Sequence, residues 1–224
     1  MTVPLPNPLP KIEDCMPKRL DLYYNGGWHA PQDGEYRETI DPGKGAVITR
    51  VAFAGAKDTE AALQAADKAF TVWRATPPIE RGRLLKKAAQ VLRDHAIELA
   101  MLDALNIGSP IKIMAGDAYS AADHIELFAG LIPAVTGETM HLGDETFDYT
   151  LREPLGVVAR IVASNHPLMF TGNKLISSCI GNGQYCCHQD PRASPAVSPS
   201  THGADRQYLP TRSSECSFGR YRMR

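Results

Sequence analysis

The chain has 224 residues, 43% hydrophobic and 22% charged, with a formal net charge of -1, enough for one large domain or two small ones with a sizeable core. Near-neutral charge argues against a nucleic-acid or acidic-surface binder. The lack of any apolar run of about 18 residues argues against a membrane span, and five cysteines, an odd number, suit no disulfide framework.

Met1 to Pro10 is rich in proline and lacks the basic region and apolar run of a secretory signal, so a cytoplasmic location is expected. Residues 1–19 read as an exposed, flexible arm. From Leu20 the pattern changes. Asn25-Gly26 follows Leu22-Tyr23-Tyr24 and precedes Gly27-Trp28, a hairpin signal because both turn residues tolerate positive φ. A second extended pair, Tyr36 to Ile40 and Ala46 to Ala52, brackets Asp41-Pro42-Gly43.

Three helices follow. The first takes Asp58 as its N-cap and carries Ala62, Ala65, Ala66, Ala69, Phe70 and Trp73 at helical spacing, until Pro77-Pro78. The second runs from Ile79 to Asn106, with Leu84, Leu85, Ala88, Val91, Leu92 and Leu99 on one side, and ends before Gly108-Ser109-Pro110. The third spans Ile111 to Leu131, with Ala115, Ala118, Ala122, Ile125 and Phe128 inward.

Two strand candidates come next. Phe147 to Arg152 alternates apolar and polar residues, as a half-exposed strand does. Gly156 to Ala163 is nearly continuous and β-branched, as expected of a strand buried on both faces of a parallel sheet. Such a strand normally ends at a ligand crevice. Here it runs into Ser164-Asn165-His166-Pro167. By itself Asn165 reads as a turn residue, and His166, a lone histidine beside proline, as structural rather than a base or metal ligand.

The order of these pieces resembles the aldehyde dehydrogenase superfamily from about Leu20 to Ile176. It rests on Tyr24-Asn25-Gly26-Gly27-Trp28, Asp41-Pro42-Gly43, the Trp73 to Leu85 segment with Glu80-Arg81, and Gly137-Glu138. The most specific stretch is Arg152-Glu153-Pro154-Leu155-Gly156-Val157-Val158 leading to Asn165-His166-Pro167. The resemblance implies an α/β fold: the amino-terminal part of the family fold, an incomplete Rossmann-like cofactor domain with helices and a bridging strand, over residues 20–176. It also implies oxidation of an aldehyde to a carboxylic acid with NAD or NADP, through a cysteine nucleophile and a glutamate that activates water. Asn165 would be the residue whose amide steadies the oxyanion. Ile161, Val162, Ala163 and Ser164 would line the cofactor cleft. Ser164 stands where the family usually has an aromatic residue. Homo-oligomers are implied, and the strand Phe147 to Arg152 would lie where subunits associate.

After Ile176 the character changes. Helical periodicity vanishes and lysine stops at Lys174. Arg, Ser, Pro, Cys and His accumulate, so residues 177–224 are expected to be a disordered tail unlike the family. A reading-frame slip near Ser177 or Ser178 explains the break. The genetic code allows Gln184 to Asp190, read one base later, to spell Asn-Thr-Val-Val-Ile-Lys-Thr, which resembles what the family carries after Lys174-Leu175-Ile176. On this reading the second cofactor strand, its ribose-binding lysine, the activating glutamate and the family's later nucleophilic cysteine, which carries a Gly-Gln-x-Cys setting, are expected to be absent. The fragment would then bind no cofactor and stand inactive alone. None of Cys15, Cys179, Cys186, Cys187 and Cys216 is expected to serve as the catalytic thiol. Cys186, Cys187, His188, His202 and Cys216 are ill-spaced for zinc, and no metal is expected. Arg192, Arg206, Arg212, Arg220, Arg222 and Arg224 read as a solvated tail rather than a phosphate-binding surface. The rival reading is a non-catalytic fragment that pairs with a full-length relative through the Phe147 to Arg152 strand.

Overall fold

Turn chemistry fixes the first elements of the computed structural model, which describes residues 3–161, 163–173 and the backbone of 185–189. Asn25 and Gly26 adopt φ of 51° and 73°, and the antiparallel hairpin β1 (Leu22–Tyr24) and β2 (Gly27–His29) closes around them. In the next hairpin, β3 (Tyr36–Asp41) and β4 (Ala46–Ala52), the Asp41 carboxylate accepts the Gly43 amide at 2.8 Å, an Asx turn.

The helices are α2 (Ala56–Ala75), α3 (Pro78–Asp94), α4 (Ala96–Ile107) and α5 (Ile111–Leu131). α5 packs on α3 and α4. Leu85, Ala89, Leu92, Leu99, Ala118, Ala122 and Ile125 are buried between them. Arg93 of α3 reaches across to Asp123 and Glu126 of α5 at 2.8 and 2.6 Å. Ala62, Ala66, Ala69 and Trp73 of α2 form a second cluster, against which Tyr24, Leu84 and Val157 pack.

A 3-10 turn (Ile132–Ala134) leads into the antiparallel pair β5 (Thr139–His141) and β6 (Phe147–Tyr149). β7 (Val157–Ile161) then enters the short helix α6 (Pro167–Phe170), and β8 (Tyr185–Gln189) pairs parallel with β7. Among the described residues all the sheets are two-stranded.

Several expectations are corrected. Gly55 is the N-cap of α2. Asp58 sits three residues inside and serves the same end, accepting the Gly55 amide at 3.1 Å and the Gln32 amide at 3.1 and 3.2 Å. The single helix expected over Ile79 to Asn106 breaks at His95, whose φ of -106° and ψ of 13° leave the helical basin. The His95 ring meets Glu98 at 2.8 Å, so the break coincides with a side-chain contact at the start of α4.

The first residues are not a free arm throughout. Residues Ile12–Cys15 form α1, Cys15 is buried in the main core, and Val3 and Leu5 pack beside Ala100, Met114 and Ala115. The strand expected over Phe147 to Arg152 stops at Tyr149. Its partner β5 has only three residues, and after the Thr150 amide reaches Glu138 O at 2.9 Å no acceptor follows.

The strand over Gly156 to Ala163 is shorter than expected, and it is not buried on both faces. Val157 and Val158 are half-buried and Ala159 is exposed, with α2 packed against β7. Nor does β7 lack a neighbour. Tyr185–Gln189, placed by sequence in a disordered tail, is the strand β8. β7 offers a row of backbone donors and acceptors that any extended segment can pair with. Tyr and Cys suit a strand as well as the large aliphatics do. The remainder of 177–224 lies outside the described residues.

Candidate functional site

β7 and β8 run in the same direction, with Ile161 opposite Gln189, so their carboxyl ends lie together, where open α/β sheets place ligand crevices. From there the chain turns through Ser164, Asn165 and His166 and opens α6 with Pro167, whose missing N–H costs nothing at that position.

Two carboxylates from the helical body hold this turn. Asp103 of α4 is 1% exposed and its Oδ2 accepts the Leu168 amide at 3.2 Å. Asp117 of α5, 9% exposed, places Oδ2 2.5 Å from His166 Nδ1. A carboxylate offers no proton, so Nδ1 carries the hydrogen and Nε2 faces away from Asp117. The His166 ring also stands edge-on to Phe170, with centroids 6.2 Å apart. α6 and the turn before it are thereby fixed from both sides.

Of the residues expected to line a cofactor cleft, Ile161 ends β7 and Val162 lies outside the described residues. Ala163 is exposed and Ser164 half-buried. Asn165 is exposed at the head of the turn. The Asx hydrogen bond that a pure turn role would give it is not formed with any described residue. An exposed side-chain amide is a group able to donate to an oxyanion. His166 occupies a structural position, held by Asp117.

Asp103 and Asp117 escaped the sequence reading. Their signal was present: each is an acid inside an apolar stripe, Asp103 beside Leu102 and Asp117 between Ala115 and Ala118. A carboxylate so placed needs a buried partner, but its identity, 49 residues away for Asp117 and His166, is a tertiary fact.

Among the described residues no group of three or more His, Cys, Asp or Glu could hold a metal ion, and no helix is long and apolar enough to cross a membrane. Cys186, Cys187 and His188 lie in β8, of which only the backbone is described. His202, Cys216 and the arginines from Arg192 onward lie outside the described residues.

Residues 28–187 match the model of the aldehyde dehydrogenase family. The match passes the break expected at Ile176 and reaches into β8. The chain is 43% identical over 189 residues to aldehyde dehydrogenase tropH of Talaromyces stipitatus, covering 83% of this chain and 36% of that protein. Among solved structures it resembles an NADP dependent enzyme of E. coli, with a TM-score of 0.79 and 26% identity over 84% of this chain and 39% of that one. PnpE, solved in complex with nicotinamide adenine dinucleotide, superposes with a TM-score of 0.75 at 32% identity, over 82% of this chain and 39% of that one. The chain thus spans a little over a third of the length of the relatives it matches.

Proposed function

Because this chain belongs to the aldehyde dehydrogenase family, we propose that its 224 residues carry the first cofactor-domain strand and the oxyanion-stabilising Asn165 of an NAD(P)-dependent aldehyde oxidation, without turning over aldehyde alone. The observation behind this is the turn after β7, which offers an exposed asparagine amide on a segment clamped by Asp103 and Asp117. Preorganised donors aimed at developing charge are what acyl-transfer chemistry requires. The nucleophile is a different matter. Of the five cysteines, Cys186 ends a Gly-Gln-x-Cys string, Gly183-Gln184-Tyr185-Cys186, but it lies opposite Val158 near the start of β8, at the end of the strand pair away from the Asn165 turn, and burial pushes the Cys15 thiol up, away from reactive thiolate.

The residues present do not complete a dinucleotide site. Among the described residues Ala159 of β7 has no cover and stands exposed. Where the shifted frame writes lysine, this frame writes Gln189-Asp190, so the ribose-binding lysine of that reading is missing. No step through the nicotinamide is therefore assigned to this chain. The reading-frame slip near Ser177 is part of the proposal, supported by the loss of lysine after Lys174 and by the family-like string hidden one base on. Cytoplasmic residence also belongs to it, supported by an odd cysteine count that suits reducing surroundings.

The test is direct. Purified chain with NAD or NADP and a panel of aldehydes is expected to give no reduced nicotinamide above contaminating background. Measurable turnover overturns the proposal. Coding DNA around Ser177 that lacks the shifted codons removes the frame slip. In a chain with the frame restored, Asn165→Ala is expected to lower kcat by about 10²- to 10³-fold.

A second reading, an interaction fragment, is favoured by one feature of β5 and β6. Phe147 is 73% exposed, Tyr149 54%, Leu151 72% and Leu142 62%, an apolar edge of the kind that recruits another strand. Capture of a full-length relative at micromolar concentration would support it, and the monomer eluting alone beside that relative would remove it.

A further inference from the structure

Away from the turn, a cavity of about 550 Å³ opens between the junction of α2 and α3, the 3-10 turn and residues 151–154. Its wall carries Arg74, Arg81 and Arg152 against a single carboxylate, Glu153. Among the described residues none of these guanidiniums forms an ion pair, although arginines elsewhere in the chain, such as Arg37, Arg83 and Arg93, do. Arg81 is the anchor. Its Nη1 donates to Thr76 O at 3.1 Å, its Nε is buried with no acceptor, and burial pulls its pKa down. A partly desolvated, underpaired guanidinium costs stability unless an anion meets it. Ile132 and Leu151 add an apolar part to the lining, and the volume is that of an ordinary small-molecule site.

We propose that this cavity binds an organic oxyanion, a phosphate or carboxylate on an apolar body, with Arg74, Arg81 and Arg152 holding the head and Ile132 and Leu151 the body. Arginine supplies the planar forked donors that such heads fit. The apolar wall selects for a ligand larger than the bare ion. The site is separate from the Asn165 turn and stands whether or not the chain oxidises aldehydes.

Calorimetric titration of the whole chain at low salt with phenyl phosphate tests this. Saturable one-to-one binding is expected, weaker with inorganic phosphate and undetectable with benzyl alcohol. Benzoate in a parallel titration tells whether phosphate or carboxylate is the preferred head. The double variant R74M/R152M alters two exposed side chains, so it retains the fold, and should weaken phenyl phosphate at least tenfold. R81M should do the same, with unchanged helical circular dichroism as its control. The proposal is overturned by no saturation up to about 10 mM, or by equal affinity in R74M/R152M and the parent. Inorganic phosphate binding as tightly as phenyl phosphate refutes the apolar half.

Discussion

Asp58 and Asp103 are each 1% exposed, and each accepts backbone N–H: Asp58 takes those of Gln32 and Gly55, and Asp103 that of Leu168 through Oδ2. Asp58 ties residue 32 to the start of α2, and Asp103 ties α6 to α4. Removing either leaves buried donors unsatisfied. Asp58→Ala and Asp103→Ala should each cost about 2 kcal/mol, read from the midpoint of urea unfolding, whereas Asp103→Asn keeps an acceptor and should cost less. Cys15 gives a pH signature. Burial, then the nearby Glu98, Asp14 and Glu13, raise its pKa. A raised value means that the native state holds the proton more tightly than the unfolded chain. Its contribution is thus complete below the ordinary thiol range near about 8.5 and is lost as pH rises through the native value. Unfolding free energy should fall above that range, with a shallower fall in Cys15→Ala. An identical slope in both would remove the assignment.

At the scale of elements, legibility followed the range of the interactions. The Asn25-Gly26 and Asp41 turns were readable because their chemistry is contained within a few residues. α2 and α5 were readable from the 3.6-residue recurrence of alanine with Phe70 and Trp73 in one and Ile125 and Phe128 in the other. The break at His95 was not, since no Gly or Pro announces it and its contact is one histidine to Glu98. β8 was missed because strand pairing is decided by the neighbour's backbone rather than by the residues' own hydrophobicity. The Asp117–His166 clamp joins elements far apart in sequence, which no local pattern encodes. Gly108, by contrast, was a helix stop on sequence and has a sharper role in place. Its φ is 77°, and a Cβ there would come within 2.7 Å of Pro42 Cγ. Gly108→Ala should therefore destabilise by more than about 1 kcal/mol, measured by thermal or urea unfolding.

Across the whole molecule, burial is concentrated in the helices. Leu85, Leu99, Met114 and Ile125 are almost fully enclosed, while β5, β6 and the segment to Leu155 expose Phe147, Leu151 and Leu155. Two-stranded sheets are marginal alone, and a parallel pair is ordinarily covered on both faces. The chain should therefore show strong helical circular dichroism, a broad thermal transition and a tendency to aggregate; a sharp, cooperative and reversible transition would contradict this. Hydrogen exchange should separate the two regions, with amides of α3 and α5 protected far longer than those of residues 139–161.

The Asp103 and Asp117 clamp also orders events in time. Both carboxylates belong to helices that leave the ribosome before α6 does, so the docking surface stands ready when Leu168 emerges. β8 comes later still, and it must find β7 across a connection already pinned at its start. Nascent chains long enough for α5 to have left the ribosome should already resist a protease along the helical body, whereas protection of β7 should await the emergence of residue 189.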